Sequence, residues 1–193
     1  MKRVILASQS PRRAALLSQL GVDFTQQFMS VDETPLPDEE PAAYVRRVCM
    51  AKAAAVAVGL TQLVIAADTS VVCDGTILGK PENREDFVKM MHTLSDREHD
   101  VMTAVTVRSV ERQDTFLNIS QVQFRSMTMP EINAYWETGE PIDKAGGYGI
   151  QGLGAAFVSR IVGSYSAVMG LPLNETAAML TDFGVPWALN PCR

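Results

Sequence analysis

The run LVIAADTSVV at 63–72 constrains this chain more than any other stretch. It is continuous apolar sequence, interrupted only by Asp68, Thr69 and Ser70. A run of this kind reads as a buried strand, here followed by a hairpin around Asp74-Gly75. An ionised carboxylate inside it costs several kcal/mol unless a cation or metal meets it. Asp68 is therefore the sharpest chemical signal in the chain. It reads as a strand-end acid, and strand ends in α/β sheets often carry function. The structural alternative is an Asp that caps a turn through Thr69 and Ser70.

The rest of the chain alternates helix and strand patterns. RVILAS (3–8) predicts a buried strand, and Ser10-Pro11 then opens a helix over 11–20, with Ala14, Leu17 and Leu20 inward and Ala15 and Leu16 broadening the face. Gly21 is its stop. VDFTQQF (22–28) predicts a second strand, 30–41 a Pro-rich acidic loop, and 42–58 an Ala/Val-rich helix stopped by Gly59. A helix over 84–94 turns Phe87, Met90, Met91 and Leu94 inward. The runs 99–110 and 115–127 predict an antiparallel pair. A helix over about 130–138, a shaped loop over 139–154, a strand over 155–163 and a helix over 171–184 complete the pattern. The class is α/β, or α+β with a mixed sheet.

A length of 193 residues suits one domain, or one domain with a smaller lobe. With 17 Lys and Arg against 22 Asp and Glu the net charge is −5, which argues against duplex DNA as a partner. Cys49, Cys73 and Cys192 fit neither a zinc site nor a disulfide framework, so a reducing, cytoplasmic compartment is expected. The apolar stretch VILA is too short for a signal peptide, and no run approaches the roughly 20 apolar residues that span a membrane.

The available chemistry is narrow. His92 and His99 form no paired metal motif, and GxSxG and GxxxxGK[ST] are both missing from the sequence. GYGIQG (147–152) matches GxGxxG, but it follows a charged loop and precedes a β-like run, which is the wrong context for a dinucleotide. Acids and cations at element edges remain. Arg12 and Arg13 occupy the first turn of a helix, where the amide end favours acids; either they bend into solvent or an anion meets them. Glu33 lies in the acidic loop, where such acids are commonly solvated. Lys52 interrupts an Ala-rich face and, taken alone, reads as a snorkelling lysine. Lys80 is framed by Gly79 and Pro81. Lys144 lies beside Asp143, and a plain surface pair explains it equally well. Taken together, hard oxygen ligands without imidazole suit Mg²⁺ or Mn²⁺, and arginines, lysines and helix amides suit phosphates. That set fits metal-assisted hydrolysis of a polyphosphate.

LASQSPRR (6–13), DET (32–34), AK (51–52), AADT (66–69), GKP (79–81), DKAGGYGIQGLG (143–154) and GLPL (170–173) together resemble the Maf family of nucleoside triphosphate pyrophosphatases, in the family's order, from residue 3 to about 184. The resemblance implies a mixed, strongly bent sheet flanked by helices, with two lobes around a cleft, as in inosine triphosphate pyrophosphatases. It implies one such domain over 1–193, with a C-terminal tail after about 185. The implied reaction is NTP plus water giving NMP and pyrophosphate, with a divalent metal, Mg²⁺ or Mn²⁺. Asp68 is then the catalytic base, and Glu33 and Asp68 hold the metal. Ser8, Ser10, Arg13, Lys52 and Lys80 line the phosphates. Arg12, Thr69 and Gln151 match the dTTP/UTP branch; the 7-methyl-GTP branch carries Trp, Gln and Glu there. Gly147 replaces an Ala found in many members. The triphosphate would supply the negative charge that the Arg12–Arg13 turn lacks. Gln151, with one donor and one acceptor, could read a uracil or thymine edge. The resemblance also implies house-cleaning of nucleotide pools, a link to septum formation, and a homodimer. The rivals are a pyrophosphatase for 7-methyl-GTP or modified nucleotides, and a non-enzymatic cell-division regulator.

Overall fold

The chain folds around a seven-stranded mixed sheet in the order β2-β1-β3-β5-β6-β7, with β4 paired to β3 outside that path. The computed structural model describes residues 2–190, so Cys192 and the end of the expected tail lie outside the described residues. The strands are β1 (Arg3–Leu6), β2 (Phe24–Gln26), β3 (Gln62–Cys73), β4 (Thr76–Leu78), β5 (Glu98–Arg108), β6 (Gln113–Phe124) and β7 (Val158–Val162). The helices are α1 (Pro11–Gln19), α2 (Pro41–Ala55), α3 (Arg84–Leu94), α4 (Met129–Glu137), α5 (Tyr165–Met169) and α6 (Leu173–Asp182). β1 pairs parallel with β2 and β3, aligning Leu6 with Gln26 and Ile65. β3 and β4 are antiparallel, as are β6 and β7, the latter with a register shift at Gln123/Phe124.

Two compact units share this chain. The first comprises Met1–Asp68, Thr103–Asn118 and Gly170–Arg193, and the second Thr69–Met102 and Ile119–Met169. In the first unit the strand residues Leu63 to Ala67 are fully buried, as are Val48 and Ala53 of α2 and Leu17 of α1. α1 buries Leu16 and Leu17, and Leu20 is buried at its C-cap, whereas Ala15 stays exposed, so the inward face is narrower than its sequence suggests. α2 ends at Ala55, three residues short of the expected 58. Arg108 Nη1 donates to the carbonyls of Ala53 (3.2 Å) and Val56 (3.1 Å), and a cation on the last carbonyls terminates the helix there.

In the second unit α3 matches its expected bounds and buries Phe87, Met90, Met91 and Leu94. They join Val71, Val101, Val122, Phe124, Tyr135, Tyr148 and Phe157 in one apolar cluster. The structure departs from the sequence reading at four places. The strand expected from 155 begins at Val158, because Leu153–Phe157 winds into a 3-10 turn. The loop 139–154 contains further 3-10 turns at Glu140–Asp143 and Ala145–Gly147. α5 has no counterpart in the sequence reading. β2 covers only three residues of the seven expected; as the first strand in the sheet order it is a short edge. The chain after 185 turns back on α1: Ala188 N–H donates to Leu20 O (2.8 Å).

Candidate active site

Asp68 lies inside β3, not at a strand end, and no turn follows it: the strand continues to Cys73. This removes the turn-cap alternative. Asp68 is 6% exposed, so its carboxylate needs a partner. The partner is Lys52, whose Nζ lies 2.7 Å from Asp68 Oδ1. The same ammonium reaches Glu33 Oε1 at 2.9 Å. Lys52 is thus no snorkelling lysine: it leaves α2 to stand between two carboxylates, one buried and one at the surface.

Glu33 is carried by an irregular loop that α2 holds from below. Tyr44 Oη donates to Glu33 O (2.9 Å). Arg47 grips Glu39 with two nitrogens, at 2.6 and 2.7 Å, and donates to Thr34 O at 3.0 Å. Glu39 in turn accepts from Leu36 N–H at 3.0 Å. The Arg47 guanidinium holds the Glu39 carboxyl down to about 2. Sequence reading missed this clasp. Its members are separated by loop and helix, and nothing in their spacing marks them as partners.

The β1–α1 junction forms the second half of the first unit's site. Ala7 N–H donates to Ile65 O (2.7 Å), which delivers the next residues beside β3. Ser10 caps α1, its Oγ accepting from Arg13 N–H at 3.4 Å. Ser8 is buried, and its Oγ accepts from Ser10 N–H (3.1 Å) and Arg13 Nη1 (3.4 Å). Arg13 Nε donates to Gly170 O (2.9 Å) at the head of the GLPL segment. The first turn of α1 holds no acid. Burial pulls the Arg13 guanidinium below its usual value, while the Asp68 charge opposes that shift and Arg12 adds to it. Two cations at a helix N-terminus, one of them desolvated, suit an anion. Arg12 is half-buried rather than extended into water.

Thr69, Lys80 and Gln151 belong to the second unit. Thr69 follows Asp68 on β3 and is half-buried; Lys80, between β4 and α3, is exposed; Gln151 is exposed in the glycine-rich loop. Gly146 N–H donates to Gly79 O (2.9 Å), tying the GKP turn to that loop. Lys144 donates to Glu140 O and Asp143 Oδ1, both at 2.6 Å, so of its two readings the structure shows the local pair. Glu140, which the sequence reading passed over, accepts from Tyr135 Oη (2.8 Å), Leu153 N–H (2.9 Å) and Gly154 N–H (3.2 Å). Against the upward push of burial, these donors hold its carboxyl below the usual range. GYGIQG lies between 3-10 turns rather than between a strand and an α-helix, in keeping with the rejected dinucleotide match.

Comparisons with known proteins place the chain among similar ones. The family model described as Maf-like protein matches residues 3–183. A dTTP/UTP pyrophosphatase of Vibrio vulnificus is 49% identical over 185 residues, covering 95% of this chain and all of that protein. One of Pseudoalteromonas atlantica is 50% identical over 183 residues, covering 92% and 95%. Among solved structures, a HAM1 protein from Coxiella burnetii superposes with a TM-score of 0.54 over 94% of this chain and all of its own, at 15% identity, a likeness of fold alone.

Proposed function

The chain belongs to the Maf family, and on that premise we propose that the Glu33–Lys52–Asp68 cluster is the hydrolytic centre of a nucleoside triphosphate pyrophosphatase acting on dTTP and UTP. The observation that carries the reading is the pairing of a buried acid with one lysine shared by a second carboxylate, Lys52 standing 2.7 and 2.9 Å from them. A structural ion pair needs one acid. Two acids on one cation, beside a desolvated arginine at an acid-free helix start, make a site for a charged polyphosphate.

Asp68 orients a water molecule against the α-phosphorus and takes its proton. A phosphorus–oxygen bond forms to that water. The bond to the bridging oxygen breaks, and its electron pair leaves with pyrophosphate. Lys52 and Arg13 neutralise phosphate oxygens, and Ser8, Ser10 and the α1 amides receive others by hydrogen bonds. Glu33 and Asp68 would hold a divalent metal. The fit is chemical: both are hard oxygen donors that already converge on one cation, and Mg²⁺ or Mn²⁺ takes one or two carboxylates and completes its shell with substrate phosphates and water. When bound, the metal neutralises charge on the phosphates.

Lys80 keeps a phosphate-binding role, and Arg12, Thr69 and Gln151 set the preference for dTTP and UTP. Gln151 is exposed and able to offer both a donor and an acceptor to a pyrimidine edge. The chain acts as one Maf-type domain and as a homodimer on free nucleotides in the cytoplasm, without a nucleic-acid or membrane partner. The acidic net charge of −5 and the free, buried thiols of Cys49 and Cys73 support that setting. No described helix is long and apolar enough to cross a membrane.

Pyrophosphate release is measured across dTTP, UTP, CTP, GTP and 7-methyl-GTP. dTTP and UTP should lead by kcat/KM, EDTA should abolish turnover, and Mg²⁺ or Mn²⁺ should restore it. Preference for 7-methyl-GTP overturns the branch assignment, and full activity in chelator overturns the metal.

A further inference from the structure

Three glycines of the loop that carries Gln151 have no left-handed backbone to account for them. Their reason is space. A side chain at Gly152 would run into the Glu140 carboxylate. A Cβ at Gly149 would come within 2.9 Å of Glu140 Oε1, and one at Gly154 within 2.6 Å of Tyr135 Oη. The carboxylate has no freedom to yield, because Tyr135 Oη, Leu153 N–H and Gly154 N–H all donate to it. Tyr135 Oη accepts in turn from Gly149 N–H at 3.0 Å. The loop is therefore wrapped around one anion and pinned on both sides of Gln151: at Gly149 before it, at Leu153 and Gly154 after it. Gln151 itself projects as an exposed residue from this closed frame.

We propose that Glu140 is a positioning residue that aims Gln151 and so sets the nucleotide selectivity of the reaction. The inference rests on the reading of Gln151 as the side chain that meets the base. A carboxamide discriminates only while its donor and acceptor face the right partners, so its backbone must be held more rigidly than that of an ordinary exposed loop. Glu140 reaches Gln151 through two hydrogen-bonded flanks and acts without touching the substrate. The ring of Tyr135 is fixed by Phe87 and Phe157, with centroids at 6.0 and 5.2 Å, and Tyr135 serves as the second strut.

The experiment compares the full-length wild type with Glu140→Gln, Tyr135→Phe and Gln151→Ala, using dTTP, UTP and CTP at saturating Mg²⁺. Glu140→Gln keeps the shape but turns one acceptor into a donor among three donors. KM for dTTP and UTP should rise about tenfold, the scale of one lost charge-assisted hydrogen bond, while kcat moves much less. The dTTP-over-CTP preference should fall toward that of Gln151→Ala, and amide exchange at Leu153 and Gly154 should quicken. Tyr135→Phe should move in the same direction by a smaller factor, and it decides the matter if Glu140→Gln does not fold. A loss confined to kcat and equal for all three nucleotides, with preference intact, overturns the positioning role. An unchanged preference in Gln151→Ala overturns the base-reading role, and this inference with it. Relaxed preference in Gln151→Ala with wild-type preference in folded Glu140→Gln and Tyr135→Phe overturns this inference alone.

Discussion

Asp68 and Lys52 form the buried ion pair at the centre of the proposed site, and each was legible to a different degree. A carboxylate in a run of buried apolar residues announces its need for a cation, because an unpaired buried charge is untenable. Which cation answers is invisible locally: Lys52 lies on α2, and only the packing of that helix beside β3 brings its Nζ to 2.7 Å. Taken alone, a lysine on an Ala-rich face reads as a snorkelling one, whereas the structure sets Lys52 between Asp68 and Glu33. Asp68→Asn should leave the fold intact, as Lys52 retains Glu33, and should remove the group that takes the proton from water. Turnover at saturating metal should fall about 10²–10⁴-fold. A folded variant, judged by its melting curve, with near-wild-type kcat would reject the role.

Elements with a strong period or a firm cap were read well. α3, with Asn83 accepting from Asp86 N–H at its start, was placed to the residue. Elements defined by distant partners were not: α2 ends where Arg108 takes its last carbonyls, and Leu153–Phe157 winds into a turn just before β7. The loop bearing Glu33 is the functional instance. It has no regular structure of its own and depends on Tyr44 and Arg47 of α2. Arg47→Ala should free the loop and let Glu33 drift. kcat/KM for dTTP should then fall by up to about 10²-fold, the scale of a misplaced catalytic group. The metal concentration needed for half-maximal rate should rise, and Arg47→Lys should restore little, because the grip on Glu39 uses two nitrogens. An unchanged metal requirement in Arg47→Ala would show that Glu33 does not depend on the clasp.

For the whole molecule, one buried group, His99, adds to the acid sensitivity. His99 is 3% exposed; its Nε2 lies 2.8 Å from Tyr148 Oη, its Nδ1 is buried without a hydrogen-bond partner among the described residues, and Phe124 packs edge-on at 4.9 Å. Burial pushes its pKa from 6.5 down to about 4. The folded chain therefore keeps His99 neutral where the unfolded chain takes a proton, so its contribution is complete above about 6.5 and is lost as pH falls toward 4. The melting temperature should drop across that window, and His99→Gln, which can still accept from Tyr148, should show a flatter acid slope. Equal slopes would assign acid sensitivity to other groups. The same scale separates the two sources of information about this protein. The order of the helices and strands apart from α5, the buried acid and the acid-free helix start are local: each follows from periodicity, capping or residue type within a few positions, so the sequence alone determined them, and the family motifs are legible there too. The pairing of Asp68 with Lys52, the clasp on the Glu33 loop and the carboxylate inside the glycine-rich loop required the tertiary structure. Those contacts join residues from separate elements, and their geometry is decided by how the elements pack, which no spacing along the chain encodes.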